Sequence, residues 1–407
     1  MRRLFSAAEP MSYFSGKGQI DLLYKTISQQ LRDTAAKFPN RPAAFSYHEN
    51  IELTYRQLLE RVEQMASGLL ALDLSPQARV GVFAPTVIDY YVIQLACSMA
   101  DLVLVNINPA YRLHELEYAI NKVGCEVIFI VSQVKTTNYE KLINDLCPEL
   151  STSKVGKINC ASVPSLKYVL KLDHKASQGF MVSDELLKLG SKSDNLKAMR
   201  EAEGRIQSED LTNIQFTSGT TGSPKASCLS HFNILNNGNI LAKHIKYTEK
   251  DKILCSVPLY HCFGMVMCNL AALCSGAEVL YPHMTFDAIA GLKVASERKA
   301  TSLYGVPTMF IENISQVEKN PGKFDLSSVR GGVMAGSICP RPLMEKAREI
   351  LNCRELIIGY GMTETSPLSF MTSSTDPVEL QVNTVGKVLP NTECKLLDEQ
   401  GRVVPLG

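Results

Sequence analysis

Apolar positions along the first part of the chain follow two periods in turn. Leu22, Leu23, Ile27, Leu31 and Ala35 lie near helical spacing, which predicts an amphipathic helix over Asp21 to Phe38. A second helix is predicted over Thr54 to Leu72. Thr54 followed by Gln57 forms a capping-box start, and Leu58, Val62, Met65, Leu69 and Leu72 make the inward stripe. Short apolar runs then alternate with helical ones. Arg79 to Phe83 reads as a strand, Val87 to Met99 as a helix and Leu102 to Val105 as a strand. His114 to Val123 reads as a helix, and Glu126 to Val131 as the next strand. Strands separated by helices imply βαβ units and a parallel sheet, so the fold class is α/β.

Lys188 to Asp210 is charged and poor in large apolar residues, and it reads as a linker or irregular connection. A second alternating series follows. Ile214-Gln215-Phe216 is a strand, a helix starts at His231, Lys252 to Val257 is a strand and Phe263 to Cys274 a helix. Then come strand Ala277 to Tyr281, a helix near Phe286 to Arg298, strand Thr301 to Tyr304 and strand Glu355 to Ile358. After Thr384 the pattern changes to short antiparallel runs, Val385 to Pro390 and Glu393 to Leu397, with a turn at Asp398 to Gly401. Those runs show no partner in the sequence, so a frayed or edge-exposed tail is expected. The division this suggests is one α/β subdomain over 1–205, a second over 206–384 and an incomplete β-barrel over 385–407.

Composition excludes more than it assigns. The 407 residues suffice for two or three domains, and 45% hydrophobic content is ordinary for a globular protein. A formal net charge of +1 provides no global field to attract nucleic acid or a membrane surface. Twelve cysteines include no C-x-x-C pair, so zinc is not expected, and several (Cys97, Cys255, Cys274) lie in apolar runs that predict buried free thiols. The longest mostly apolar stretch, Gly264 to Ala277, contains Asn269 and falls short of the roughly 20 residues of a transmembrane helix. Met1 to Ala8 has the arginines and serine of a mitochondrial presequence, but Glu9 and Pro10 interrupt it. The segment reads equally as a plain basic N-terminus.

Candidate chemistry begins at Thr217-Ser218-Gly219-Thr220-Thr221-Gly222-Ser223-Pro224-Lys225. Its glycines allow close backbone approach, while its hydroxyls and lysine could surround phosphate oxygens. Only two residues separate Gly219 from Gly222, so this is not a Walker A loop. A Ser/Thr/Gly-rich surface turn is the alternative. No G-x-S-x-G elbow is present for a serine hydrolase.

Three further segments follow in order: Val257-Pro258-Leu259-Tyr260-His261-Cys262-Phe263-Gly264, Gly331-Gly332-Val333-Met334-Ala335-Gly336-Ser337 and Ile357-Ile358-Gly359-Tyr360-Gly361-Met362-Thr363-Glu364-Thr365. Together the four resemble the phosphate loop, pocket segment, nucleotide-site loop and Tyr-Gly-x-Thr-Glu motif of the adenylate-forming superfamily of acyl-CoA synthetases, luciferases and adenylation domains. The resemblance implies the family's large N-terminal domain, two packed α/β subdomains with the start of a small β-barrel. It implies condensation of a carboxylate with ATP to give acyl-adenylate and pyrophosphate, then transfer of the acyl group to coenzyme A.

Roles follow by the same resemblance. Glu364 would hold Mg²⁺, and the Thr363 hydroxyl would donate to the α-phosphate. The loop with Thr217, Ser218, Gly219, Thr220, Thr221, Gly222 and Lys225 would hold the β- and γ-phosphates. Tyr360, Gly361, Gly336 and Ser337 would line the adenine pocket. His261 would lie beside the acyl carboxylate, and Phe263, Gly264 and Met265 would wall the acyl tunnel. Ala226 stands where the family usually has glycine. Nothing matches its ribose-binding Thr-Gly-Asp, its hinge, or its small C-terminal lid domain with the catalytic lysine. The 407 residues are therefore expected to fold yet make little acyl-CoA, and a non-enzymatic nucleotide- or acyl-binding protein is the alternative. The segment wording is nearest to mitochondrial medium-chain members, which implies a fatty acid substrate and the mitochondrial matrix, with the cytoplasm as the other location.

Overall fold

A computed structural model describes residues 10–16, 18, 20–72, 74–154, 158–173, 176–217 and 224–406. Two large sheets dominate it. The first has seven strands in the order Met181–Val182, Tyr168–Lys171, Cys125–Ile130, Arg79–Phe83, Val103–Asn106, Leu211–Thr217 and Lys225–Ser230. All neighbours are parallel except the last pair, which is antiparallel. The second has nine strands in the order Lys387–Val388, Leu368–Met371, Glu355–Gly361, Gly331–Ala335, Ser302–Gly305, Lys252–Cys255, Glu278–Tyr281, Pro42–Ser46 and Ile51–Thr54. Six central strands run parallel, from Glu355–Gly361 to Pro42–Ser46, with antiparallel strands at both edges. The α/β expectation holds, and no closed barrel occurs among the described residues.

The sheets do not divide at residue 205. Pro42–Ser46 and Ile51–Thr54 complete the second sheet, whereas Leu211–Thr217 and Lys225–Ser230 complete the first. Strand pairing is non-local, and alternation along the chain carries no information about which sheet a strand joins.

Two other expectations are corrected. The segment read as a linker forms helices Ser183–Gly190 and Ser193–Glu203. Its charge is used in packing: the Arg32 guanidinium bridges Glu63 at 2.7 Å and Glu203 at 2.6 Å. The tail after Thr384 also has partners. Lys387–Val388 pairs with Leu368–Met371, and Glu393–Lys395 pairs antiparallel with Tyr13–Ser15 from the other end of the chain.

Local signals set the helix ends. Thr54 caps Tyr55–Leu70 in the expected box with Gln57. The first helix starts only at Ile27, because Thr26 and Gln29 make its capping box, and Leu22 and Leu23 precede it. The Leu23 backbone is paired instead with the Asn236 side chain, at 2.7 and 3.0 Å.

Helix Ile88–Met99 and the π-helical turns Phe263–Leu270 are buried on every side, and the turns continue as Ala271–Ser275. Such segments read as apolar throughout rather than striped. Two of their polar exceptions, Gln94 and Asn269, pair with each other. Asn269 donates to Gln94 (2.8 Å) and accepts from the Tyr281 hydroxyl (2.6 Å), while Gln94 donates to the Met265 carbonyl (3.1 Å). This explains the asparagine in the longest apolar stretch: it joins two buried helices and a strand at no cost in unpaired polar atoms.

Candidate functional site

The cleft lies beyond the carboxyl ends of parallel strands, where open α/β sheets bind ligands. From the first sheet, Leu211–Thr217 delivers Phe216 and Thr217. Thr217 pairs across the hairpin with Lys225, which is exposed on the opposite stem. Ser218, Gly219, Thr220, Thr221 and Gly222 lie outside the described residues.

From the second sheet, strand Gly331–Ala335 ends at Gly336, whose φ of 90° is open to glycine at little cost. Its neighbour Glu355–Gly361 leads into the short turn Thr363–Thr365. A Cβ at Gly361 would run into the Pro367 carbonyl, so this close approach of backbones requires glycine.

These ends enclose a cavity of about 470 Å³. Its polar end holds Thr217, His261, Thr363 and Glu364. Phe216, Phe263, Met267, Ala335 and Leu368 supply apolar wall. The Thr217 hydroxyl lies 3.5 Å from a Glu364 carboxylate oxygen, joining the first motif to the last. A second cavity of about 600 Å³ shares Gly336, Gly359 and Gly361 with the first and adds Ser337 and Tyr360. Tyr360 is 54% exposed, and its ring packs edge-on against Phe370, with centroids 5.8 Å apart.

His261 closes a turn over Pro258. Its Nδ1 accepts the Phe263 backbone N–H at 3.1 Å, which leaves Nε2 as the proton-bearing nitrogen of the neutral ring. The ring has exposed area because the cavity is open, yet protein surrounds it on most sides. That desolvation lowers its pKa from the ordinary imidazole value and favours the neutral form. Cys262, next to it, is fully buried. Burial pushes its thiol pKa up, and it donates to Gln215 at 3.0 Å, so it is no nucleophile.

The cavities thus bring together Thr217, His261, Gly336, Ser337, Tyr360, Gly361, Thr363 and Glu364. Lys225 is not among the lining residues, and neither are Gly264 and Met265. Met265 faces the first sheet, where the side-chain amides of Asn106 and Gln215 lie 3.2 and 3.5 Å from its sulfur. Met267 lines the cavity in its place. It lies four residues after Phe263 and so shares its face, a helical period that could have identified it. Phe216, Ala335 and Leu368 were missed because each looks like an ordinary strand residue.

Glu364 is exposed at the cavity edge, and among the described lining residues there is no lysine or arginine. A polyanion seated beside that carboxylate would need a counter-ion, and a hard divalent cation fits an oxygen donor of this kind. Elsewhere the ligand-type atoms of Cys147, Glu149 and Cys160 lie within 4.8 Å of one another, a grouping hidden from C-x-x-C spacing. None of the three lines either cavity.

Two mostly parallel sheets with a two-part cleft at their strand ends make the α/β fold of the N-terminal domains of adenylate-forming enzymes. The chain belongs to the AMP-binding enzyme family, whose profile matches residues 31–407. It is 38% identical over 402 residues to the mitochondrial medium-chain acyl-CoA ligase ACSF2 of Rattus norvegicus, covering 98% of this chain and 65% of that protein. It is 33% identical to the putative acyl-CoA synthetase YngI of Bacillus subtilis, covering 93% and 68%. In fold it is similar to the anthranilate CoA ligase AuaEII solved with anthranoyl-AMP, with a TM-score of 0.81, 21% identity and coverage of 95% and 69%. The chain therefore spans about 65% of the length of the ACSF2 relatives it matches.

Proposed function

We propose that this protein is an acyl-activating ligase. It would condense a fatty acid, of medium chain length, with ATP to form acyl-adenylate and pyrophosphate, and then transfer the acyl group to the thiol of coenzyme A. The carrying observation is the approach of Thr217 to Glu364, which sets a hydroxyl from the phosphate-loop strand beside the acidic residue of the last motif. The apolar wall beneath supports a ligand with an anionic head and an apolar tail.

In the first step the substrate carboxylate is the nucleophile, so the protein's task is alignment and charge stabilisation. Thr363 would donate to the α-phosphate, and His261, neutral and carrying its proton on Nε2, would donate to the acyl carboxylate. The loop from Thr217 through Ser218, Gly219, Thr220, Thr221 and Gly222, with Lys225, would hold the β- and γ-phosphates. Tyr360, Gly361, Gly336 and Ser337 would receive adenine in the second cavity. Glu364 would hold Mg²⁺, which when bound offsets negative charge on the phosphates. The relatives named mitochondrial support the matrix as the location.

The test is fatty-acid-dependent exchange of labelled pyrophosphate into ATP. Exchange with medium-chain acids and none without acid is expected. No exchange with any carboxylate would sink the proposal.

A further inference from the structure

Side chains on one face of the second sheet show where the cavity ends. Ala335 and Gly359 are register partners and line it. Two residues deeper on the same face, about 6–7 Å down the strands, come Val333 and its partners Tyr304 and Ile357. All three are buried and none lines the cavity. The Phe263 ring, part of the cavity wall, lies against Tyr304 with centroids 6.0 Å apart.

Tyr304 is fixed from behind. The Tyr247 hydroxyl donates to the Tyr304 hydroxyl at 3.0 Å and is 2.5 Å from the Ser302 hydroxyl. The Arg330 guanidinium sits over the Tyr247 ring, 5.5 Å from its centroid. A buried phenol held at its hydroxyl and packed against a second ring does not swing aside as a methionine would.

We infer that Tyr304, locked behind Phe263 by Tyr247 and Ser302, is the stop that sets how long an apolar tail the cavity accepts. This rests on the acyl-activating reading of the site and adds its specificity determinant. The site serves acyl groups of limited length. A smaller residue at position 304 lets the Phe263 ring fall back and opens a path along the Val333 and Ile357 face.

The test uses a series of non-hydrolysable acyl-sulfamoyl adenosines, each two carbons longer than the last, with Kd measured by calorimetry. In the wild type, affinity is expected to rise about fourfold per accommodated methylene, reach a limit and then fall. Tyr304→Ala moves that limit to longer chains, gaining about tenfold or more for the first members beyond it and leaving the shortest unchanged. Tyr304→Phe keeps the ring and keeps the limit. Should Tyr304→Ala fail to fold by circular dichroism, Tyr304→Leu, which retains apolar filling, moves the limit in the same direction. A folded Ala or Leu variant that binds the short members with an unmoved limit overturns the stop and leaves the site reading intact. A wild type that binds no member overturns the site reading itself, and the stop with it.

Discussion

The Thr217 hydroxyl lies 3.5 Å from a Glu364 carboxylate oxygen across 147 positions of sequence. One residue ends a strand of the first sheet, and the other follows a strand of the second. The contact spans the cleft where the two sheets' strand ends meet. At that distance it is weak, so the carboxylate is available to a stronger partner.

Replacing Glu364 by Gln is expected to remove Mg²⁺-dependent ATP affinity and adenylation while leaving the fold intact. Glu364 is the single acidic residue among the described residues of the cavity wall, and its side chain is exposed. Titrating ATP with and without Mg²⁺ reads the effect. A mutant whose Mg²⁺-dependent affinity equals that of the wild type rules out metal binding by this residue.

Lys225→Ala is expected to weaken ATP far more than AMP. Lys225 stands opposite Thr217 at the base of the hairpin whose loop is assigned to the β- and γ-phosphates, which AMP lacks. A charge-assisted hydrogen bond contributes about 1.5–3 kcal/mol, or about tenfold or more in Kd. Equal losses for the two nucleotides would move the lysine to the α-phosphate or make it structural.

Acid should destabilise the protein partly through His231. This residue is 2% exposed, its Nδ1 accepts the Ile27 N–H at 3.3 Å, and burial pushes its pKa down to about 4 from 6.5, with Asp210 opposing. The unfolded chain therefore binds more protons, and stability rises with pH. The contribution is fully present above pH 6.5 and is lost as pH falls toward about 4. Its full size is on the order of 3 kcal/mol. Burial, with His283 adding to it, pushes His48 down to about 4 as well, and it acts in the same sense. Urea unfolding at about pH 7 and about pH 5 should differ less in His231→Gln than in the wild type. An unchanged difference would assign the acid sensitivity to other groups.

Gly361→Ala should cost both stability and nucleotide binding. The added methyl meets the Pro367 carbonyl, and the backbone must shift just before Thr363 and Glu364. Overpacking of this kind costs about 1–3 kcal/mol. Thermal melting together with ATP affinity measures the two losses, and a variant that keeps its wild-type melting temperature contradicts the contact.

Much of the site was legible because its motifs are contiguous. A strand, a glycine-bearing turn and a polar group in a few residues can be read from the chain, and His261, Thr363 and Glu364 do meet in one cavity. Helix Tyr55–Leu70 was legible for a similar reason, since its cap and stripe are set by neighbours within one or two turns.

Only the tertiary structure decided the rest. Strand pairing assigned Pro42–Ser46 to the second sheet and Leu211–Thr217 to the first, against their order in sequence. Helix period set Met267 rather than Met265 in the cavity wall. Packing at sequence separations of 41 and 57 put Tyr304 behind Phe263 and under the Tyr247 hydroxyl. Caps, turns and stripes are short-range and follow from residue type and backbone sterics. Sheet partners, pocket floors and ion pairs such as Arg32 with Glu203 depend on which distant surfaces bury one another, and no local pattern encodes that choice.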